Sequence, residues 1–171
     1  RATRGKSIMN FLQLTDGEKV TSILPMPKDI KTMDGVSLMM ITKGGTVKKC
    51  AAESFKDVRR NGLIAIKLDD KDELLVALFV TGKDSVILTT QDGQSIRFSH
   101  DDVREMGRQA AGVIGMKLDK GDTIVAADKI VEGVKGAELL IMTANGYGKK
   151  TKLSEYKIQK RGGSGIKTVK V

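Results

Sequence analysis

Cysteine is nearly absent from this sequence: Cys50 is the single one, which rules out a disulfide within the chain and fits a reducing compartment. Histidine is just as scarce. His100 stands alone, with no second histidine or cysteine to share a metal, and reads as a solvated residue in the turn Ser99 to Asp102. Two tyrosines, Tyr147 and Tyr156, are the sole candidates for a tyrosine nucleophile. No apolar run approaches the ~20 residues that a membrane helix requires, and no signal-peptide pattern opens the chain. Long stretches with helical periodicity are missing too. No phosphate-binding loop of Walker spacing occurs, since the Gly5-Lys6-Ser7 triplet lacks the earlier glycine. These absences leave little room for metal, covalent or nucleotide chemistry, and no cofactor is expected.

What the sequence does have is a basic excess and a repeat. The 171 residues carry 30 Lys plus Arg against 21 Asp plus Glu, a net charge of +9 that favours a polyanionic partner. Three stretches align without gaps: ITKGGTVKKCAAESF from Ile41, TTQDGQSIRFSHDDV from Thr89 and MTANGYGKKTKLSEY from Met142. Thr42, Thr90 and Thr143 coincide, as do Gly45, Gly93 and Gly146 and the basic residues Lys49, Arg97 and Lys150. Phe55, Val103 and Tyr156 close the units, which makes Tyr156 a packing residue, and Cys50 shares a strand slot with Phe98 and Thr151. A second motif surrounds Gly5, Gly62, Gly112 and Gly165, with apolar residues four and six places on and an arginine just before: Arg4, Arg60, Arg108 and Arg161.

The period of roughly fifty residues is that of propeller blades and related arrays. Within a unit, Ile64, Ile66 and Leu68 alternate with Ala65 and Lys67 as a half-buried strand does. Leu74 to Val80, Val86 to Thr90 and a strand from Gln94 follow, the last two joined through Asp92-Gly93 as a hairpin turn. Four strands per unit is the content of a propeller blade. Pro25 and Pro27 mark a strand exit, and Lys167 to Val171 read as strand. The acidic group Asp69, Asp70, Asp72 and Glu73, interrupted by Lys71, reads as solvated turn charge. With Arg1 in first place and a strand at the far end, both ends are expected to continue into something longer.

Taken in order, RGKSIMNFLQL, DGVSLMMITKGGTVKK, RRNGLIAIKLDDKDEL, GQSIRFSHDDVREMGRQAAGVIGMKL and NGYGKKTKLSEY resemble the C-terminal domain of DNA gyrase A over essentially the whole chain. The sister subunit of topoisomerase IV is the nearest competitor. The resemblance implies an all-β fold, a β-pinwheel in which propeller-like blades exchange strands and a basic perimeter binds and bends duplex DNA. It also implies partners, the remainder of the gyrase A protein and gyrase B, and a cytoplasmic, chromosome-associated setting. Cleavage chemistry in that family resides in the N-terminal part of the gyrase A protein. Family domains hold about six blades, of which this chain resembles the middle three. Gln159, Lys160, Arg161, Gly162, Gly163, Ser164 and Gly165 resemble a degenerate copy of the family's wrapping box, with Ser164 in place of a basic residue.

The expectation is therefore a single partial pinwheel domain over residues 1–171. It has units at about 5–61, 62–111 and 112–164 and the start of a fourth from 165. The expected DNA contacts are Arg4, Lys6, Lys48, Lys49, Arg59, Arg60, Arg97, Arg104, Arg108, Lys149, Lys150, Lys160 and Arg161, set on a common rim and suited to phosphates rather than base edges. A protein-interaction propeller with incidental charge is the alternative reading, and a propeller hydrolase is disfavoured by the lone histidine. Three blades leave sheet edges unpaired. The chain is thus expected either to associate with a second copy or to stay an open arc.

Overall fold

The computed structural model describes residues 4–26, 34–58 and 61–171. Its ten strands are β1 (Ser37–Thr42), β2 (Thr46–Ala51), β3 (Leu74–Val80), β4 (Ser85–Thr90), β5 (Gln94–Ser99), β6 (Val113–Ile114), β7 (Ile124–Ile130), β8 (Glu138–Met142), β9 (Gly148–Lys152) and β10 (Ile166–Lys167). No long helix interrupts them among the described residues; short 3-10 turns follow β2, β5 and β9 at Ala52–Phe55, His100–Asp102 and Leu153–Glu155.

The hairpins β1–β2, β4–β5 and β8–β9 are the repeating core, and the recurring threonine and glycine build their turns. In each, the glycine N–H donates to the threonine carbonyl three residues back, at 3.2, 3.0 and 2.9 Å. The threonine hydroxyl accepts from the backbone N–H four residues on, at 3.1, 3.2 and 3.2 Å. Gly45, Gly93 and Gly146 sit at φ of 82°, 79° and 83°, a region that a side chain resists.

Strands from two different stretches of chain complete each sheet. The first sheet runs β3-β1-β2-β6 and the second runs β7-β4-β5-β10, all neighbours antiparallel. β3 and β7 come from the segment directly after their own hairpin; β6 and β10 come from one hairpin later. Successive sheets therefore interlock, and the four strands of a sheet are not the four consecutive strands that the alternation pattern suggests. The expected strand at Ile64 to Leu68 does not form. Leu63 and Ile64 occupy the repeat position of β6 and β10, and among the described residues there is no earlier hairpin for them to pair with. At the far end the strand is confined to Ile166 and Lys167, after which Thr168 N and Val169 N both donate to Gly93 O, at 2.9 and 3.3 Å.

The main core lies between the first two sheets. Met39, Ile41 and Val47 meet Val86, Leu88, Ile96 and Phe98, with Val103, Met116 and Ile124 closing the gap. Each such fully buried side chain contributes about 1.5–3 kcal/mol by leaving water. A smaller cluster, Ile87, Ile130 and Tyr156, joins the second sheet to the third hairpin with Leu139 and Leu153. The exchanged strands bring backbone against backbone: a Cβ on Gly45 would lie 2.8 Å from Met116 O, and one on Gly112 would lie 2.7 Å from Val47 O. Gly93 meets Val169 and Gly165 meets Ser95 at the equivalent places. Gly112→Ala, which also demands a side chain at φ of 110°, is expected to cost about 2 kcal/mol, seen as a lower urea midpoint with an unchanged slope.

Candidate nucleic-acid interface

The basic residue that follows each hairpin turn is placed by its strand, and the exchanged strand decides what surrounds it. Lys49 is buried in β2. Its Nζ donates to His100 O at 3.0 Å, with His100 Nδ1 at 3.3 Å and Asp101 Oδ1 at 3.7 Å. Arg97, half-buried in β5, donates from Nε to Ser85 Oγ at 2.9 Å and from NH1 to Leu153 O at 3.2 Å and Tyr156 O at 3.3 Å. His100 and Leu153 are the same repeat position. Each cation thus fastens its blade to the carbonyl that opens the 3-10 turn of the next blade. Burial pushes the Arg97 guanidinium down from its ordinary range. In the third hairpin Lys150 is exposed and pairs with Glu138.

A second recurring cation does similar work. Lys48 is fully buried, and its Nζ donates to Ala65 O at 2.7 Å and to Arg108 O. Lys149 donates to Thr168 O at 3.0 Å, and Thr168 is the repeat equivalent of Ala65. Ile96 fills this slot in the middle unit as a core residue. Desolvation lowers the Lys48 pKa, the neighbouring Cys50 opposing it, and burial pushes the Cys50 thiol up. Cys50 is buried and poorly disposed to ionise, so it is a packing residue and not a nucleophile.

The expected common rim is accordingly split. Lys48 and Lys49 lie inside and Arg97 is half-buried, because segments distant in sequence, at Ala65, Arg108, His100 and Leu153, close over strands that sequence alone leaves at an edge. Arg4, Lys6, Arg104 and Arg108 are exposed. Arg59 and Arg60 lie outside the described residues. Lys160 is exposed, with Asp102 Oδ1 at 3.2 Å. Arg161 is half-buried and clamps Asp102 O at 2.8 Å through Nε and Ile114 O at 2.9 Å through NH1. The loop around it is braced as well: Gln159 N donates to Arg97 O at 2.8 Å and Gly162 N to Gly115 O at 2.7 Å.

Extending the three-way alignment by one residue finds a further set: Lys56, Arg104 and Lys157 stand at one repeat position, where the chain leaves its 3-10 turn. All three are exposed. Lys56 pairs with Glu53 at 2.6 Å, while Arg104 and Lys157 form no ion pair among the described residues. Just beyond them the chain runs beside the preceding blade, through the bridges Lys49 to Glu105 and Phe98 to Gln159.

His100 is not the solvated turn residue that its neighbours suggest. It is buried, its Nε2 lies 2.9 Å from Gly82 O, and its carbonyl receives Lys49. Tyr156 is buried as expected, and Tyr147 is exposed. The acidic turn is a brace: Asp72 Oδ1 accepts from Gly44 N and Glu73 N, both at 2.8 Å, and Lys43 holds the Glu73 carboxyl below its ordinary range. Among the described residues no helix is long and apolar enough to cross a membrane.

Four-stranded sheets repeated along the chain, each lending a strand to its neighbour, define a propeller-type β array with strand exchange. The family of the DNA gyrase C-terminal domain, beta-propeller, matches residues 1–25, 37–81, 84–130 and 137–171. The chain belongs to that family. The DNA gyrase A protein of Salmonella typhimurium is 41% identical over 171 residues, and that of Staphylococcus epidermidis 37% identical; each match covers 100% of this chain and 19% of the relative. The chain thus spans about a fifth of the length of these relatives. Among solved structures, a DNA gyrase A C-terminal domain superposes with a TM-score of 0.82 at 33% identity, covering 96% of this chain and 53% of the other. The C-terminal domain of a DNA topoisomerase IV gives 0.84 at 28% identity, covering 95% and 49%.

Removing a blade fastener should show up as lost stability. Lys49→Met and Arg97→Met each remove a charged donor that ties one blade to the next and are each expected to cost about 2 kcal/mol in urea unfolding, against less than about 0.5 kcal/mol for Arg104→Ala.

Proposed function

We propose that this chain binds and bends duplex DNA without sequence specificity, as a non-catalytic module of a type IIA topoisomerase. The observation that carries the reading is the exposed basic position Lys56, Arg104 and Lys157, repeated once per blade on a chain of net charge +9. Equivalent residues of a repeat array face the same way, so they offer cations at blade-sized intervals. That spacing suits phosphates along a curved duplex, which position DNA without reading bases. Arg4, Lys6, Arg108, Lys149, Lys150 and Lys160 are exposed and add to the same field. The buried fasteners Lys48, Lys49 and Arg97 support the interface by holding the blades in register.

In this reading the working partners are the remainder of a gyrase A protein and gyrase B, on the bacterial chromosome in the cytoplasm. The bent DNA serves supercoiling by the whole ATP-dependent enzyme. The names and the shared fold of the relatives support this assignment, and the exposed cations give it a physical basis.

Fluorescence anisotropy with two unrelated duplexes of about 40 base pairs, titrated over salt, tests it. Both should bind alike, and log affinity should fall against log salt with a slope of about −0.9 per phosphate contacted. Arg104→Glu with Lys157→Glu should weaken both duplexes equally and flatten the slope by about 2. Absence of binding at low salt would overturn the proposal in favour of a protein-interaction propeller.

A further inference from the structure

The exchanged segment carries a second cation that recurs once per blade and lies outside the hairpin alignment. The fifth residue after the glycine of the second motif is Lys67 after Gly62, Lys117 after Gly112 and Lys170 after Gly165. Gly5 is followed by Asn10 instead. All three lysines are exposed. None of them forms an ion pair among the described residues. Lys117 has a repeat on either side of it. The residues just before it lie against the first hairpin, and its own N–H donates to Gly163 O at 3.0 Å in the loop of the following unit. Lys67 N makes the equivalent bond to Ala110 O at 3.4 Å. The exposure of Lys117 is therefore a property of a junction whose two partners are both present.

Between Arg104 and Lys117 the chain climbs the outer edge of β2. Glu105 bridges Lys49, and Met106 N donates to Lys49 O at 2.8 Å. Val113 and Ile114 then pair with Val47 and Thr46, and Gly115 N donates to Gly45 O at 2.8 Å. From Lys49 to Gly45 the strand rises about 13 Å, at ~3.3 Å per residue. Arg104 stands just before this climb and Lys117 just after it. Lys157 and Lys170 flank the same path on β5. There Gln159 bridges Phe98, Ile166 pairs with Ser95 and Thr168 N donates to Gly93 O at 2.9 Å. Each of these outer edges thus has an exposed cation at either end.

We propose that Lys67, Lys117 and Lys170 form a second row of phosphate contacts, and that the two rows hold the two strands of one duplex. This deepens the DNA-binding reading, on which it rests, by naming the form of nucleic acid taken. A rise of about 13 Å is close to the ~12 Å width of the major groove in B-form DNA. Cations at the two ends of the edge can therefore meet phosphates on opposite sides of a groove at once. A single strand has one backbone and can follow only one row. Duplex is preferred for its geometry, without any contact to bases.

Anisotropy with a duplex of about 40 base pairs and a single strand of the same length, titrated over salt, tests it for the native chain and for Lys67→Gln with Lys117→Gln. The native chain should favour the duplex. The double variant should flatten the duplex slope by about 2 and leave the single-strand slope, about −0.7 per phosphate, unchanged. Lys67→Arg with Lys117→Arg should keep the native duplex slope. Acetylation of the native chain with a limiting reagent gives a reading that needs no variant: duplex should shield Lys67 and Lys117 several-fold more than the single strand does. An unchanged duplex slope in the double variant, equal losses on duplex and single strand, or acetylation of Lys117 indifferent to duplex would each overturn the second row. A native chain that binds no duplex at low salt would overturn the proposed function and the second row with it. A native chain that binds duplex, with a double variant that binds just as well, would overturn the second row alone.

Discussion

A β-sheet leaves the outer strand with unpaired N–H and C=O groups. This chain answers that constraint at β2 and β5 by sending in a strand from the next repeat. Thr46 pairs with Ile114 and Gln94 with Lys167, far apart in sequence. Nearly every other distinctive feature follows. The exchanged strand runs so close that Gly45, Gly93, Gly112 and Gly165 have no room for a Cβ. It also covers residues that would otherwise face water, so that β2 is buried along most of its length and every residue of β5 is buried or half-buried.

Covering those strands sorts the positive charge into two populations. Lys48 and Lys49 are enclosed, and an enclosed ammonium is tolerated only where fixed acceptors replace the lost water. The acceptors are backbone carbonyls at the start of neighbouring segments: Ala65 and Arg108 for one, His100 for the other. Carbonyls are well suited to this role, because they stabilise the cation without cancelling it by a second buried charge. The exposed population, Arg104, Arg108 and Lys157 among it, keeps its water and costs the fold little. Net charge alone therefore overstates what a polyanion would meet.

How far the sequence reveals this depends on whether a residue answers to local or to long-range partners. The Thr-x-x-Gly turns are legible, since Thr42, Thr90 and Thr143 bond only within their own hairpins. So are the strands Leu74 to Val80, an unbroken apolar run between turns, and Gln94 to Ser99, which follows the Asp92-Gly93 turn. Strand order is not legible, because β6 and β10 are two-residue strands that carry no periodicity. The Ile64 to Leu68 alternation misleads for the matching reason: it records what that segment could pair with, and no described hairpin supplies the partner. Lys49 and Arg97 look like rim charges because a basic residue after a turn is commonly solvated, and nothing local reveals that a turn some fifty residues later encloses it. His100 misleads in the same way. Lys56, Arg104 and Lys157 need only one more column of the alignment.

Repeat arrays are stabilised by terms within each unit and terms between neighbours. Here the terms between neighbours are unusually concrete: an exchanged strand, a cation on a carbonyl and a glycine contact at each junction. Curvature and spacing are therefore set at the junctions. The surface cations inherit their separation from them. A residue such as Arg97, which touches no solvent-facing partner, governs where Arg104 and Lys157 stand relative to one another, since it binds the carbonyls of Leu153 and Tyr156 in the very turn that Lys157 leaves. An array bound to a stiff duplex must match the spacing of its cations to the path of the DNA, and bending the duplex costs about 1–6 kcal/mol over such a site. A loosened junction would yield to the DNA instead of bending it. In the proposed reading, rigidity between blades is thus part of how such a surface would bend DNA.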